Sequence, residues 1–395
     1  MPATDSDFNT FLQAIRLPPV QATACQEAHR DMRERLADDA DIKEVMLATF
    51  LQGSLQRATC IAPSNGEKSD VDLVVATRLD EEEHSPPALA WQRFAPFLDR
   101  HFKEGEKRRW RPQGRSVRVF YPGPTELESV ELDLVLTSAP SEAAEGFLMA
   151  HPNLEDPNFD PLVIEARDVE HVRKAAMRAD SWKTEALRIP DRERKIWEKT
   201  DPLEQIRWTR RKNASTDGHY THTVMALKWW QRMTDGVKRP KGYTLEAIVG
   251  ACCPDRITSL GEGVAATLCK IEDVYAEDAR QKRVPFVPDV GTGLNALARI
   301  SPEEFGAFYV AAAEAARIAR RAVVASSRED ACRAWRLMFG ANFPTHSDPP
   351  PAPPPKLAFP GASPPPARPI ATLTGVSAGF TPPNVPARVG DPRFA

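Results

Sequence analysis

The sequence predicts an α+β protein, a mixed sheet followed by a helical part. Three observations carry this. Valine-rich alternating segments are confined to roughly the first 140 residues, helical spacing of apolar residues takes over beyond about 160, and prolines crowd the chain after Phe343.

Taken in order, residues 5–50 are expected to be mostly helical. Apolar residues recur at helical spacing through Phe8, Phe11, Leu12 and Ile15, then through Met32, Leu36 and a segment ending at Phe50. Asp70-Val-Asp-Leu-Val-Val-Ala-Thr77 alternates, which predicts a strand. The spacing of Leu89, Phe94, Phe97 and Leu98 predicts a helix over 85–103. Two strands should follow, at 116–121 and 129–137, joined through Pro122-Gly123-Pro124. Beyond 160 the expected elements are helices, at 201–216, 219–234, 243–252, 264–279 and 301–325. The expected organisation is a catalytic lobe at 1–160, with its N-terminal helix, a helical lobe at 161–343 and a tail at 344–395. Proline runs at 349–351, 353–355 and 364–366 leave the tail few backbone donors and no apolar period, so it should be disordered.

Composition narrows the function classes. The hydrophobic fraction of 42% suits a soluble globular protein. No apolar run approaches the ~18 residues of a membrane span, and the start Met1-Pro-Ala-Thr-Asp5 does not read as a signal peptide. Six cysteines stand at irregular positions without a CxxC pair. Adjacent Cys252 and Cys253 have no nearby His, so reduced thiols are expected rather than a zinc site, in a cytoplasmic protein. Net charge is −3, without the basic excess that gripping long nucleic acid requires. Basic clusters at 103–118, 188–195 and 207–212 read either as solvated faces or as phosphate attraction near a cleft.

The chemistry concentrates in Phe50-Leu-Gln-Gly-Ser-Leu-Gln-Arg-Ala-Thr59 and Asp70-Val-Asp72, read as a helix ending in Gly-Ser, a loop and a strand. Gly53 allows backbone to approach a phosphate closely, and Ser54 offers a hydroxyl and an N–H. Asp70 and Asp72, at i and i+2 of a strand, share one face, and two such carboxylates call for a cation. Mg²⁺, or Mn²⁺ in its place, suits oxygen ligands and substrate phosphates. A third carboxylate is needed for a second ion. Asp133, central in the apolar strand Val130-Glu-Leu-Asp-Leu-Val-Leu136, is the candidate, and Glu131 on the same face is the alternative.

This constellation resembles the cGAS/DncV-like nucleotidyltransferases of bacterial CBASS anti-phage defence, over roughly 45–255. The resemblance implies a polymerase-β-like nucleotidyltransferase lobe. It also implies synthesis of a cyclic di- or trinucleotide from ATP and/or GTP, with two Mg²⁺ ions and a downstream effector. His219-Tyr-Thr-His-Thr-Val-Met-Ala-Leu-Lys-Trp-Trp-Gln-Arg232 is similar to the family's long helix, and Lys228 to its triphosphate-contacting lysine. Lys241-Gly-Tyr-Thr-Leu-Glu-Ala-Ile248 is similar to a segment that touches phosphate and base. There Gly242 departs from the usual Ser or Gln, Lys241 is a substitute phosphate contact, and Tyr243 is a base platform. No Cys lies in 140–220, so the zinc insertion of the animal DNA sensors is not expected. Some members are joined through their C-terminus to other molecules by a ubiquitin-ligase-like partner, and the small Ala395 suits that chemistry. The rivals are a linear oligoadenylate synthetase, a nucleotidyltransferase acting on RNA or protein, and an interaction protein whose tail matters more than its chemistry.

Overall fold

The computed structural model describes residues 5–63, 67–152, 154 and 169–347. The expected proline-rich tail, beyond residue 347, lies outside the described residues.

Helices open the chain: α1 (Asp5–Ile15), α2 (Pro19–Asp38) and the short α3 (Ala40–Lys43). Asp39 caps α3, its Oδ1 accepting from Asp41 N at 3.1 Å and Ile42 N at 3.2 Å. The next segment differs from expectation. Residues 46–52 form strand β1 (Met46–Gln52), and a one-turn helix α4 (Gly53–Gln56) begins at Gly53 instead of ending there. Residues 47–51 are all buried, and an unbroken apolar run carries no period that separates strand from helix. Antiparallel pairing with β2 (Ser69–Thr77), ending at Gln52↔Asp72, decides the matter.

After β2 comes α5 (Ala88–Phe102), then a two-stranded ribbon of β3 (Lys103–Glu104) and β4 (Lys107–Arg108). The strands β5 (Trp110–Pro112), β6 (Val117–Tyr121) and β7 (Val130–Ser138) follow. The sheet runs β1-β2-β7-β6-β5, with the β2/β7 pair parallel and the others antiparallel. Helices α6 (Glu142–Ala150) and α7 (Val169–Ala179) come next. A hairpin of β8 (Leu187–Asp191) and β9 (Ile196–Thr200) then adds two strands where only helices were expected. Pro190 and the charges around it hide its alternation, and it joins the sheet through one pair, Ser138↔Arg188.

Helices follow at the five expected places, α8 (Pro202–Ser215), α9 (His219–Met233), α10 (Tyr243–Cys252), α11 (Leu260–Val274) with the short α12 (Ala276–Arg280), and α13 (Pro302–Val323), and α14 (Arg328–Phe339) adds one that the sequence reading did not name. Ser301 and Glu304 start α13 with a reciprocal capping box.

Three apolar clusters hold these elements. Met32, Leu36, Phe94 and Phe97 cover one sheet face at Val71, Leu73, Leu132 and Leu134. Leu148, Trp182, Leu203 and Ile206 cover part of the other at Phe50, Val74, Ala76 and Val135. The helical core gathers Tyr220, Val224, Leu227, Phe308 and Trp335, and α1 adds Phe8, Phe11 and Ile15 to it although it precedes the sheet in the chain. Among the described residues no helix is long and apolar enough to cross a membrane.

Candidate active site

Alternation along β2 sends Val71, Leu73 and Val75 toward α2 and α5, and so places Asp70 and Asp72 on the face of Val74 and Ala76. That face is covered at Val74 and Ala76, beyond Asp72. Register completes the site. Asp72 pairs with Asp133 and Asp133 with Arg118, so three adjacent strands set acid, acid and base in one row. One row along, Asp70 stands beside Glu131. Carboxylate oxygens of Asp70, Asp72 and Asp133 all lie within 4.8 Å of one another. Burial raises the pKa of Asp70, and the charges of Asp72 and Asp133 raise it further. Asp72 is raised in turn, first by burial and then by Asp133.

Gly53 is where β1 turns toward this row. Its φ is +75°, and a Cβ there would stand 1.8 Å from Asp72 Oδ2. The turn therefore needs glycine twice over, for its backbone and for the carboxylate packed against it.

Arg118 enters the acidic row from β6. Its Nε and Nη2 donate to Asp133 Oδ1 at 2.8 Å and Oδ2 at 2.7 Å, Nη1 to Glu131 Oε2 at 2.5 Å, and Nη2 also to Asp70 Oδ1 at 3.3 Å. Gln113 Nε2 adds a 3.4 Å bond to Asp133 Oδ1. Its loop is held by Arg192, which donates to the carbonyls of Gln113 and Ser116 and lies over the Trp91 ring.

Beside the row opens a cavity of about 390 Å³ lined by Ser54, Asp70, Lys228 and Lys241. Lys68, Arg232 and Lys238 add to its positive wall. Lys228 Nζ donates to Thr59 O at 3.0 Å, to Thr59 Oγ1 at 3.2 Å and to Glu246 Oε1 at 2.6 Å. Glu246, on α10, is the hub: Arg57 Nε and Nη2 donate to its two oxygens at 2.8 and 3.2 Å, and Thr59 Oγ1 donates at 3.0 Å. Burial alone would raise this carboxyl, but Arg57 and Lys228 outweigh it and hold it at about 2. A buried, fully bonded charge cluster thus ties the loop after Ser54 to α9 and α10.

The start of α10 carries the other expected residues. Lys241 is exposed on the cavity wall. Gly242 has φ +58° and ψ −135°, a conformation foreign to side chains, which explains why neither Ser nor Gln stands there. Tyr243 is half-buried, with Arg57 lying 5.2 Å from its ring centre.

Of the three basic clusters in the sequence, the acidic row takes only Arg118. Arg207 and Arg211 pair with Glu204, Lys212 with Asp255 and Arg188 with Glu81. The cavity's cations come instead from scattered positions. Sequence reasoning missed Arg118, Arg57, Thr59, Gln113 and Glu246. Two of them carried a signal: Arg118 is the single charge in an alternating strand, and Glu246 a single acid among apolar helix residues.

Residues 1–120 match the family model described as Second Messenger Oligonucleotide or Dinucleotide Synthetase domain. Over 360 residues, 86% of this chain and 92% of the relative, the chain is 34% identical to a protein of Salmonella paratyphi B named probable cyclic AMP-AMP-GMP nucleotide synthase. It is also 34% identical over 357 residues to the cyclic AMP-AMP-GMP synthase of Enterobacter hormaechei subsp. hoffmannii, covering 85% of this chain and 91% of that one. Among solved structures, its fold is similar to E. coli MS115-1 CdnC in a complex with HORMA-deltaN. The TM-score is 0.58 at 16% identity, over 86% of this chain and 97% of that one.

Proposed function

Because the chain belongs to the cGAS/DncV-like nucleotidyltransferases of CBASS defence, the second messenger oligonucleotide or dinucleotide synthetases, we propose that it joins two adenosine nucleotides and one guanosine nucleotide into a cyclic trinucleotide at Asp70, Asp72 and Asp133. That it is a nucleotidyltransferase making a cyclic oligonucleotide follows from the family. The base composition rests on the names of the two relatives. One observation carries the site assignment: three carboxylates from two parallel strands converge within 4.8 Å beside a cavity walled by lysines.

Three close carboxylates make an all-oxygen donor set that fits Mg²⁺, or Mn²⁺ in its place, and their mutual repulsion is what a divalent cation relieves. Two ions bound there would polarise the α-phosphate and offset charge on the departing pyrophosphate. The chain's own groups do the rest by position. Ser54 donates its hydroxyl and N–H to the terminal phosphates. Lys228 and Lys241 hold the triphosphate, and the Glu246 hub keeps Lys228 on the cavity wall. Tyr243 offers a base the ring face that Arg57 does not cover. Asp133 orients a ribose hydroxyl of the acceptor and receives its proton. The hydroxyl oxygen bonds to the α-phosphorus as the bond to pyrophosphate breaks. Two such steps make a linear trimer, and a third closes the ring, which a downstream effector reads.

Leaving out one nucleotide at a time tests the composition. With ATP and GTP together, mass spectrometry should find a phosphatase-resistant ring of two adenylates and one guanylate, and GTP omission should remove it. A ring unaffected by GTP omission, or a linear oligoadenylate alone, contradicts the proposal.

A further inference from the structure

We propose that Arg118 is a resident cation of the acidic row, one that must withdraw onto Glu131 before Asp70 and Asp133 can share a divalent ion. The inference rests on the reading that this row is a metal site.

Space makes the first argument. Nη2 of Arg118 lies 2.7 Å from Asp133 Oδ2 and 3.3 Å from Asp70 Oδ1, between the two carboxylates. A Mg²⁺ ion bridging them needs oxygens at about 2.0–2.1 Å, inside the volume that nitrogen fills. Nε meanwhile takes the other oxygen of Asp133, so the fork engages both ends of that carboxylate. Guanidinium and metal ion therefore compete for the same oxygens.

Charge and access make the second. Three carboxylates, Asp70, Glu131 and Asp133, pair with one guanidinium and Asp72 stands beside them, so the arginine screens a repulsion that a divalent ion would otherwise be needed to relieve. Glu131 stands outside the close group of three, yet it holds Nη1 at 2.5 Å. It gives the guanidinium an anchor clear of Asp133. Both side chains lie at the rim, 22% and 27% exposed, where the long arginine can pivot without opening the core. Glu131, which the sequence offers as a rival third ligand, thereby acquires a different role. A site in which the competing state dominates binds its ligand more weakly by the fraction that is competent.

Calorimetric titration of Mn²⁺ into the full chain, without nucleotide, reads the competition directly. Arg118→Lys keeps the charge but loses the fork, and it should bind Mn²⁺ about tenfold more tightly than wild type if the arginine-bound state holds about nine-tenths of the population. Arg118→Gln should bind at least as tightly as Arg118→Lys, and Glu131→Gln several-fold more weakly than wild type. Binding by Arg118→Lys that equals or falls below wild type overturns the proposal. So does unchanged or tighter binding by Glu131→Gln, which decides the case if the Arg118 variants do not fold. A separate outcome would strike the underlying reading: Asp70→Asn with Asp72→Asn binding Mn²⁺ as wild type does.

Discussion

Asp72 Oδ2 fills the space a Cβ would take at residue 53, and Gly53 holds a positive φ. Gly53→Ala should therefore displace that carboxylate and remove product formation. Near-wild-type turnover in that variant contradicts the geometry. Asp70→Asn with Asp72→Asn should abolish product while thermal unfolding stays cooperative, because ligand charge is lost and core volume is not. Asp133→Ala should do the same, and Glu131→Ala should keep much of its activity at saturating Mg²⁺. The reverse pattern would make Glu131 the third ligand. At this scale the sequence was legible where strand alternation speaks: Asp70, Asp72 and Asp133 are acids on strands whose other faces are apolar. Arg118 stood out as the single charge of its strand, but its meeting with Asp133 was not legible, because it depends on the register of β6 against β7, which neither strand's own pattern contains.

Between elements, the hub at Glu246 makes the strongest demand. Its side chain is 4% exposed and that of Arg57 5%. Removing one member of such a pair leaves the other charge buried, at a cost of about 3–5 kcal/mol. Glu246→Ala should lose that much in urea unfolding, and a loss under about 1 kcal/mol would show that the cluster is not what joins these elements. The pH dependence has a definite sign. Glu246 is depressed to about 2 in the fold, against about 4.3 in an unfolded chain. Its contribution is complete above that ordinary value and is lost as pH falls toward 2. The stability gap between wild type and Glu246→Gln should therefore narrow from pH 5 downward, and a gap that widens contradicts the assignment. Lys228→Ala should lower kcat/KM for nucleotides by about 1–3 kcal/mol, the range for a charged hydrogen bond. Unchanged kinetics would leave Lys228 a structural partner of Glu246. The long helices and the β2, β6 and β7 strands were readable from periodicity. β1 was not, being apolar on both faces, and the β8–β9 hairpin was hidden by Pro190 and its charges.

For the whole molecule, every residue assigned to the site lies between Gly53 and Glu246. A chain shortened after Pro351 should therefore make its product at close to the full chain's rate, and a large loss would give the proline-rich residues a part in synthesis. The central claim is that the acidic row at Asp70, Asp72 and Asp133 builds a cyclic oligonucleotide. The most direct test supplies all four nucleoside triphosphates with Mg²⁺ to wild type and to Asp70→Asn with Asp72→Asn, then separates the products by chromatography and mass spectrometry after phosphatase treatment. The account predicts a phosphatase-resistant cyclic oligonucleotide from wild type and none from the variant. Only linear products from wild type, or the same ring from both proteins, would contradict it.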